Sequence, residues 1–213
     1  MRTDPMGDTP ARDSSDLIVE DVDILFEIGT LRHIHRSWRQ FGGLPFANVA
    51  EHSFRMAFIG MVIAVHEGAN VDRVVQLALA HDLPESRTGD ANYVQKMYRH
   101  DDVEAAAREM DGRSALATHF DALRTELMAG ITIEAKIVKD ADNLDCDFEL
   151  KEMRDKGANI AEALAPTREA VKRTLHTDTA RRLFDTVNMR SSHAWHLNAR
   201  NRFNAGDWKQ EEK

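Results

Sequence analysis

The chain has 213 residues, 42% hydrophobic and 30% charged, with a formal net charge of −8. Its length and apolar content supply one sizeable core and give no sign of a second, and the acidic balance argues against a binder of nucleic acid or anionic membrane, which would want a basic surface. The single cysteine, Cys146, excludes a disulfide framework within the chain and a metal site built on several thiolates; without a bilayer-length apolar run or an apolar signal core, the expected setting is cytoplasmic.

Residues 1–16 are polar and rich in Asp, Pro and Ser, and are expected to be a disordered lead-in. Ser14 or Ser15 can cap a first helix through Leu17, Leu25, Ile28 and Leu31, with Asp16, Glu20 and Asp21 near its positive end. A loop broken by Gly42, Gly43 and Pro45 follows. It carries Arg32, His33, His35, Arg36, Trp38 and Arg39. In the next helix Val49, His52, Met56, Ile59 and Ile63 recur at spacings of three and four, which turns His52 inward, and Gly68 marks the end.

A helix over Val71–Leu83 places Val74, Leu77, Ala78 and His81 on one face with Asp82 beside them. Pro84 should disturb its end, because proline lacks the amide proton and clashes with the carbonyl four residues back. The loop to Tyr93 then holds Glu85, Arg87, Thr88, Gly89 and Asp90. Further helices are expected at about 101–110, 113–128, 131–156 and 167–187, the third with Ile131, Ala135, Val138 and Asp142 at i, i+4, i+7 and i+11. Strand-like alternation is hard to find. The reading is one all-α domain over 17–200, with a polar C-terminal tail over 201–213.

Three of these helices therefore carry a group that binds divalent metals at an inward position: His52, the His81–Asp82 pair, and Asp142. Taken singly, each has a plainer explanation, a core histidine bonded to a carbonyl or an aspartate paired with a buried arginine. Taken together they favour a metal, which removes the cost of burying unpaired carboxylate and imidazole. Asp140, two residues before Asp142, points about 200° away on a helix and is expected to be solvated or to support the site from behind.

The segments Val49-Ala50-Glu51-His52-Ser53-Phe54-Arg55, Ala80-His81-Asp82-Leu83-Pro84-Glu85-Ser86-Arg87-Thr88-Gly89-Asp90 and Lys139-Asp140-Ala141-Asp142-Asn143-Leu144-Asp145 resemble the HD-domain metal-dependent phosphohydrolases. The resemblance is to the 5'-deoxynucleotidase branch and the oxetanocin-biosynthesis phosphohydrolase, over about 25–150 and more weakly to Trp195. It implies a compact helical bundle of the HD-domain type and one divalent metal held by His52, His81, Asp82 and Asp142, with open positions for water and a phosphate oxygen. Glu85 and Asp90 match the family's functional carboxylates. Arg36 and Trp38 are the nearest equivalents of its arginine and tryptophan contacts to phosphate and nucleotide, and the likeness also implies a homodimer.

The expected activity is metal-dependent removal of the 5'-phosphate from (deoxy)nucleoside monophosphates, with a nucleotide or other small phosphomonoester as the binding partner. Glu85 would be the base that steers the attacking water's proton, Arg36 and Arg55 would clamp phosphate oxygens, and Asp90 would hold a sugar hydroxyl or the leaving oxygen. Plainer roles stand beside these: Glu85 as the start of a helix, Asp90 as a cap near Asn92, Arg55 as a surface cation, Trp38 as packing. Tyr93, Lys96 and Arg99 are further substrate-side candidates, and His193, Trp195 and His196 either cover the mouth or dock the tail. The cations near the motifs keep open a di- or triphosphate substrate; a di-iron oxygenase would need a second inward histidine pattern, and an inactive metal-stabilised binding module fits poorly with a complete ligand set. Two imidazoles and two carboxylates suit Co²⁺ or Mn²⁺, with Zn²⁺, Fe²⁺ or Ni²⁺ admissible and Mg²⁺ less suited to imidazole.

Overall fold

Apart from one isolated bridge between His35 and Asn48, all regular structure is helical in the computed structural model, which describes residues 14–42 and 46–200. Residues 1–13, the breakers Gly43 and Pro45, and the tail 201–213 lie outside the described residues. Helix α1 (Ser14–Gly29) runs into a 3-10 turn (Thr30–His33) and is followed by α2 (Arg39–Gly42), α3 (Val49–Glu67), α4 (Val71–Ala80) and α5 (Glu85–Thr88). After a second 3-10 turn (Gln95–Met97) come α6 (Val103–Asp111), α7 (Ala117–Ala129), α8 (Ile133–Asp155), α9 (Ile160–Lys172), α10 (Asp178–Met189) and α11 (Ala194–Leu197).

The centre is the packing of α3, α4 and α8, whose inward residues Met56, Ile63, Val74, Leu77, Ile137, Val138 and Leu144 are fully buried. Two local devices fix α3. Asn48 and Glu51 exchange side-chain and backbone hydrogen bonds at 2.9 and 3.1 Å, and Gly68 closes the helix in the left-handed conformation at φ 69°. Gly60 sets the approach of α3 to α4, since a Cβ there would lie 2.8 Å from Val74 Cγ1. Just before α3 the chain is stitched back on itself: Arg36 N donates to Ala47 O at 3.1 Å and Val49 N to Ile34 O at 2.9 Å, flanking the His35–Asn48 bridge.

Four expectations need correction. Helix α4 stops at Ala80 rather than Leu83, and residues 81–84 form a turn, because the Pro84 ring would clash with the Ala80 carbonyl in a continued helix. The single helix expected at 167–187 is two, α9 and α10. Asp140 explains the break: it is 0% exposed and accepts hydrogen bonds from His176 N, Thr177 N and Thr177 Oγ1 at 2.8–2.9 Å, so it is a buried structural anchor rather than a solvated group. Thr177 then caps α10 through Ala180 N. Helix α1 already begins at Ser14 and ends at Gly29, burying Ile24 while Leu25 is 64% exposed, and Leu31 is buried in the 3-10 turn that follows. Among the described residues no helix is long and apolar enough to cross a membrane.

Candidate active site

The capping of α3 places His52 one turn inside the helix, where its side chain is 1% exposed. Its Nδ1 lies 2.6 Å from Asp145 Oδ2. A carboxylate only accepts, so Nδ1 is the donor to it, and Nε2 is left facing the other side of the ring. There Nε2 is 3.5 Å from Asp82 Oδ2 and 3.4 Å from Asp142 Oδ1, without a hydrogen-bond partner. His81, at the end of α4, has Nε2 3.8 Å from Asp142 Oδ2; its Nδ1 is 2.6 Å from Asp82 Oδ1 but misaligned for a hydrogen bond. The structure thus brings together all four expected ligands from α3, α8 and the turn after α4.

Arg36 enters from the stitched segment before α2. Its guanidinium faces Asp82 and Asp90 at 3.6 and 3.7 Å and Asp142 at 3.8 Å. Asp90 also accepts from Ser37 N at 2.7 Å and Ser37 Oγ at 3.1 Å, so it clasps the loop that carries Arg36 and does not cap a helix near Asn92. Asn92 does that itself, its Oδ1 accepting from Val94 N and Gln95 N. Glu85 opens α5 with its Oε2 buried and unpartnered. Burial, reinforced by the charges of Asp82 and Asp90, pushes its carboxyl up to about 8.

These groups border a cavity of about 260 Å³, whose charged lining is made of Arg36, His81, Asp82, Glu85, Asp90 and Asp142, among others. Trp38 and Tyr93 also line it, their rings 6.0 Å apart and both packed on Phe41, and so do Lys96 and Lys139.

The residues fit a divalent cation. Separations of 3.4–3.5 Å between the facing His52, Asp82 and Asp142 atoms exceed hydrogen-bond length, and ligands about 2.1 Å from a shared ion in tetrahedral array would stand about 3.4 Å apart. The field also calls for positive charge. Burial works against the charged form of His52, yet the Asp142 carboxylate facing Nε2 and the hydrogen bond to Asp145, with Asp82 nearby, raise it to about 9. Despite its own burial, Asp142 is held well below the usual carboxylate range by His52, His81 and Lys139. As the side chains stand, no group of three or more His, Cys, Asp or Glu among the described residues is arranged to hold an ion, the Arg36 guanidinium meeting the carboxylates instead.

Several expected residues sit elsewhere. Arg55 does not line the cavity; it binds Asp145 through Nε and Glu152 through Nη1, at 2.8 Å for the latter, behind His52. The periodicity put Arg55 one turn from His52 without showing which way it leaned. Arg99 pairs with Asp101 and donates to Thr88 O. Trp195 lines a separate, largely apolar cleft of about 380 Å³ with Phe148, Leu183 and Val187, and His193 contacts His196 at 3.1 Å. His33 accepts from Arg32, and His81 is the one histidine lining the cavity among the described residues.

Sequence reasoning assigned no role to Asp145, although it extends the Val138–Asp142 run by three and so shares their face. It also missed Arg168, which lines the cavity wall from α9, is bound bidentately to Asp147 at 2.8 Å and donates to Asn143 O. No signal pointed to Arg168, because the helix there was expected to begin only at residue 167.

Residues 28–184 match the HD domain family model. The 5'-deoxynucleotidase HDDC2 of Homo sapiens is 30% identical over 138 residues, which are 60% of this chain and 65% of that protein, and its Bos taurus counterpart is 29% identical over the same span. The chain thus spans just under two-thirds of these curated relatives. Among solved structures, a conserved hypothetical protein of Pyrococcus furiosus superposes with a TM-score of 0.64 at 26% identity, over 78% of this chain and 98% of that one. A predicted metal-dependent phosphohydrolase of Magnetospirillum magnetotacticum shares the fold at a TM-score of 0.59 and 24% identity, over 81% and 95%.

Proposed function

Since the chain belongs to the HD-domain family, we propose that it is a metal-dependent phosphohydrolase that removes the 5'-phosphate from deoxynucleoside monophosphates, with His52, His81, Asp82 and Asp142 as the metal ligands. One observation carries the reading: His52 Nε2 faces carboxylate oxygens of Asp82 and Asp142 at 3.4–3.5 Å, beside a cavity that also receives the unpartnered oxygen of Glu85. The name of the relatives at 29% and 30% identity agrees with it.

A bound divalent ion supplies a Lewis acid for a phosphate oxygen and lowers the pKa of water. The chain's own residues do the rest. Glu85 takes the proton of the attacking water, and its raised pKa matches a base working near neutrality. Arg36, held in place by Asp90's grip on Ser37, presents its fork to phosphate oxygens. Trp38 and Tyr93 offer ring faces to a base. The P–O5' bond breaks as the water oxygen bonds to phosphorus, and the leaving nucleoside oxygen collects a proton. Co²⁺ or Mn²⁺ as the working ion, a homodimer and a cytoplasmic setting complete the proposal; an exposed apolar stripe on α3, Phe54, Phe58, Val62 and Val65, supports pairing.

A second reading, hydrolysis of di- or triphosphates, is favoured by Lys96. It lines the cavity without an ion pair to any described residue, while Arg36 and Lys139 face carboxylates. Phosphate release from deoxy- and ribonucleoside mono-, di- and triphosphates separates the two, run on metal-stripped protein with Mn²⁺, Co²⁺, Mg²⁺ or nothing, beside Asp82→Ala. Metal-dependent turnover of monophosphates, lost in the variant, is expected. Preference for triphosphates moves the assignment to the second reading, and absence of turnover on all of them refutes both.

A further inference from the structure

Glu85 stands on the shortest support in the site, the single turn α5 between Pro84 and Gly89. Within that turn Gly89 N donates to Glu85 O at 2.8 Å, and Gly89 leaves it at φ 70°. A four-residue helix has too few internal hydrogen bonds to hold itself. Successive residues are 100° apart, so Ser86 and Arg87 point away from the direction of Glu85, Arg87 by about 200°.

Both of those side chains are held by one residue of α1. Glu27 Oε1 accepts from Ser86 Oγ at 2.8 Å and from Arg87 Nε at 2.6 Å, while Glu27 Oε2 accepts from Arg87 Nη2 at 2.9 Å. This is a two-pronged guanidinium–carboxylate pair with a hydroxyl as third point, and such a pair fixes orientation as well as distance. Neither partner is freely solvated, the side chains being 24% and 35% exposed. The Arg87 hydrogen bond, opposed by burial, holds the Glu27 carboxyl below its ordinary range. Arg99, donating to Thr88 O, and α6, where Glu109 accepts from Arg87 Nη1 and Met110 Sδ from Ser86 Oγ at 3.5 Å, also touch this turn, at longer range in the case of α6 than the Glu27 contacts.

We propose that Glu27 is a positioning residue for Glu85: through Ser86 and Arg87 it fixes the back of α5 and thereby aims the carboxylate on its front into the cavity. Glu27 touches neither the cavity nor the expected ligands, and it lies one residue before the stretch 28–184 that matches the family model. The inference rests on the assignment of Glu85 as the base. It makes α1, otherwise peripheral, part of the machinery.

The test compares Glu27→Gln with Glu126→Gln, full chain, metal-loaded. Glu126 makes a similar pair, with Arg73 at 2.6 Å and Thr132 at 2.6 Å, between α4 and α7 and away from the cavity. Two readouts are taken: hydrogen exchange of the amides of residues 86–89, and kcat and KM for deoxynucleoside monophosphates. Expected for Glu27→Gln are exchange at least about tenfold faster in that segment and a kcat about tenfold lower with KM within twofold, since misplacing a reacting group by a fraction of an ångström has effects of this order. Glu126→Gln is expected to lose similar thermal stability and neither property. Unchanged exchange in Glu27→Gln overturns the inference, and so does faster exchange with unchanged kcat. If the unmodified protein turns over no phosphoester, the proposed function fails, and exchange alone still decides whether Glu27 holds the turn.

Discussion

Asp145→Asn removes a charge from behind the site without touching the cavity. In the native chain Asp145 accepts a hydrogen bond from His52 Nδ1 at 2.6 Å on one oxygen and from Arg55 Nε on the other. An asparagine oxygen can still accept from Nδ1, so the ring keeps its orientation but loses the anion that makes its Nε2 a better donor to a cation. Loss of such a supporting partner costs about 10–100-fold in metal affinity, or about 1.4–2.7 kcal/mol. Arg55 keeps Glu152 at 2.8 Å and is partly solvated, so the metal-free protein should lose about 1–3 kcal/mol, roughly 2–10 °C in Tm for a chain of this size. Thermal melts of the stripped protein across a Mn²⁺ titration separate the two effects: the starting Tm reports the fold, and the rise with metal reports the site, since saturating ligand stabilises by RT ln(1 + [L]/Kd). A rise in Asp145→Asn equal to that of the unmodified protein at every concentration would refute the role given to Asp145.

Other predictions follow from the same geometry. Glu85 has a folded pKa raised from 4.5 to about 8, so its protonated form stabilises the metal-free fold below about pH 4.5 and that contribution is lost as pH rises through 8; metal-free Glu85→Gln should match the parent near pH 4.5 and exceed it by up to a few kcal/mol at pH 8, while a gap independent of pH would sink the assignment. Asp140→Ala strips three buried hydrogen bonds from His176 and Thr177 and is expected to cost about 3–5 kcal/mol in urea unfolding, with metal affinity in the surviving folded protein unchanged. Gly60→Ala should cost about 1–3 kcal/mol through its clash with Val74, and Val74→Ala should recover part of that loss in the double variant; additive losses would show that the close contact is not the cause.

What the letters revealed and what they hid divides along a physical line. Inward positions are periodic, so the sequence alone places His52, His81 and Asp142 on inward faces. Arg55 and Asp140 show the limit. Both stand close to an expected ligand in sequence, yet the partner that claims each of them comes from a distant element, Asp145 in one case and the start of α10 in the other. Helix ends tell the same story: Pro84 announced a break after α4, whereas the gap between α9 and α10 is held by hydrogen bonds to Asp140, 36 and 37 residues earlier. Arg168 reaches the cavity only because α9 folds back along α8, a tertiary fact with no local signature.

The stitch that ties residues 34–36 to 47–49 sets apart what can change from what cannot. Arg36 and His52 sit at or next to its fixed ends, while Trp38 rides on the stretch enclosed between them. Closing a flexible loop costs only about 0.6 kcal/mol more for each doubling of its length, so a change of length beyond Ser37, which Asp90 grips, is expected to cost little at either end. With Trp38 in its proposed place against the base, preference among bases is then expected to drift, by chance or by design, while Arg36 and His52 stay in register.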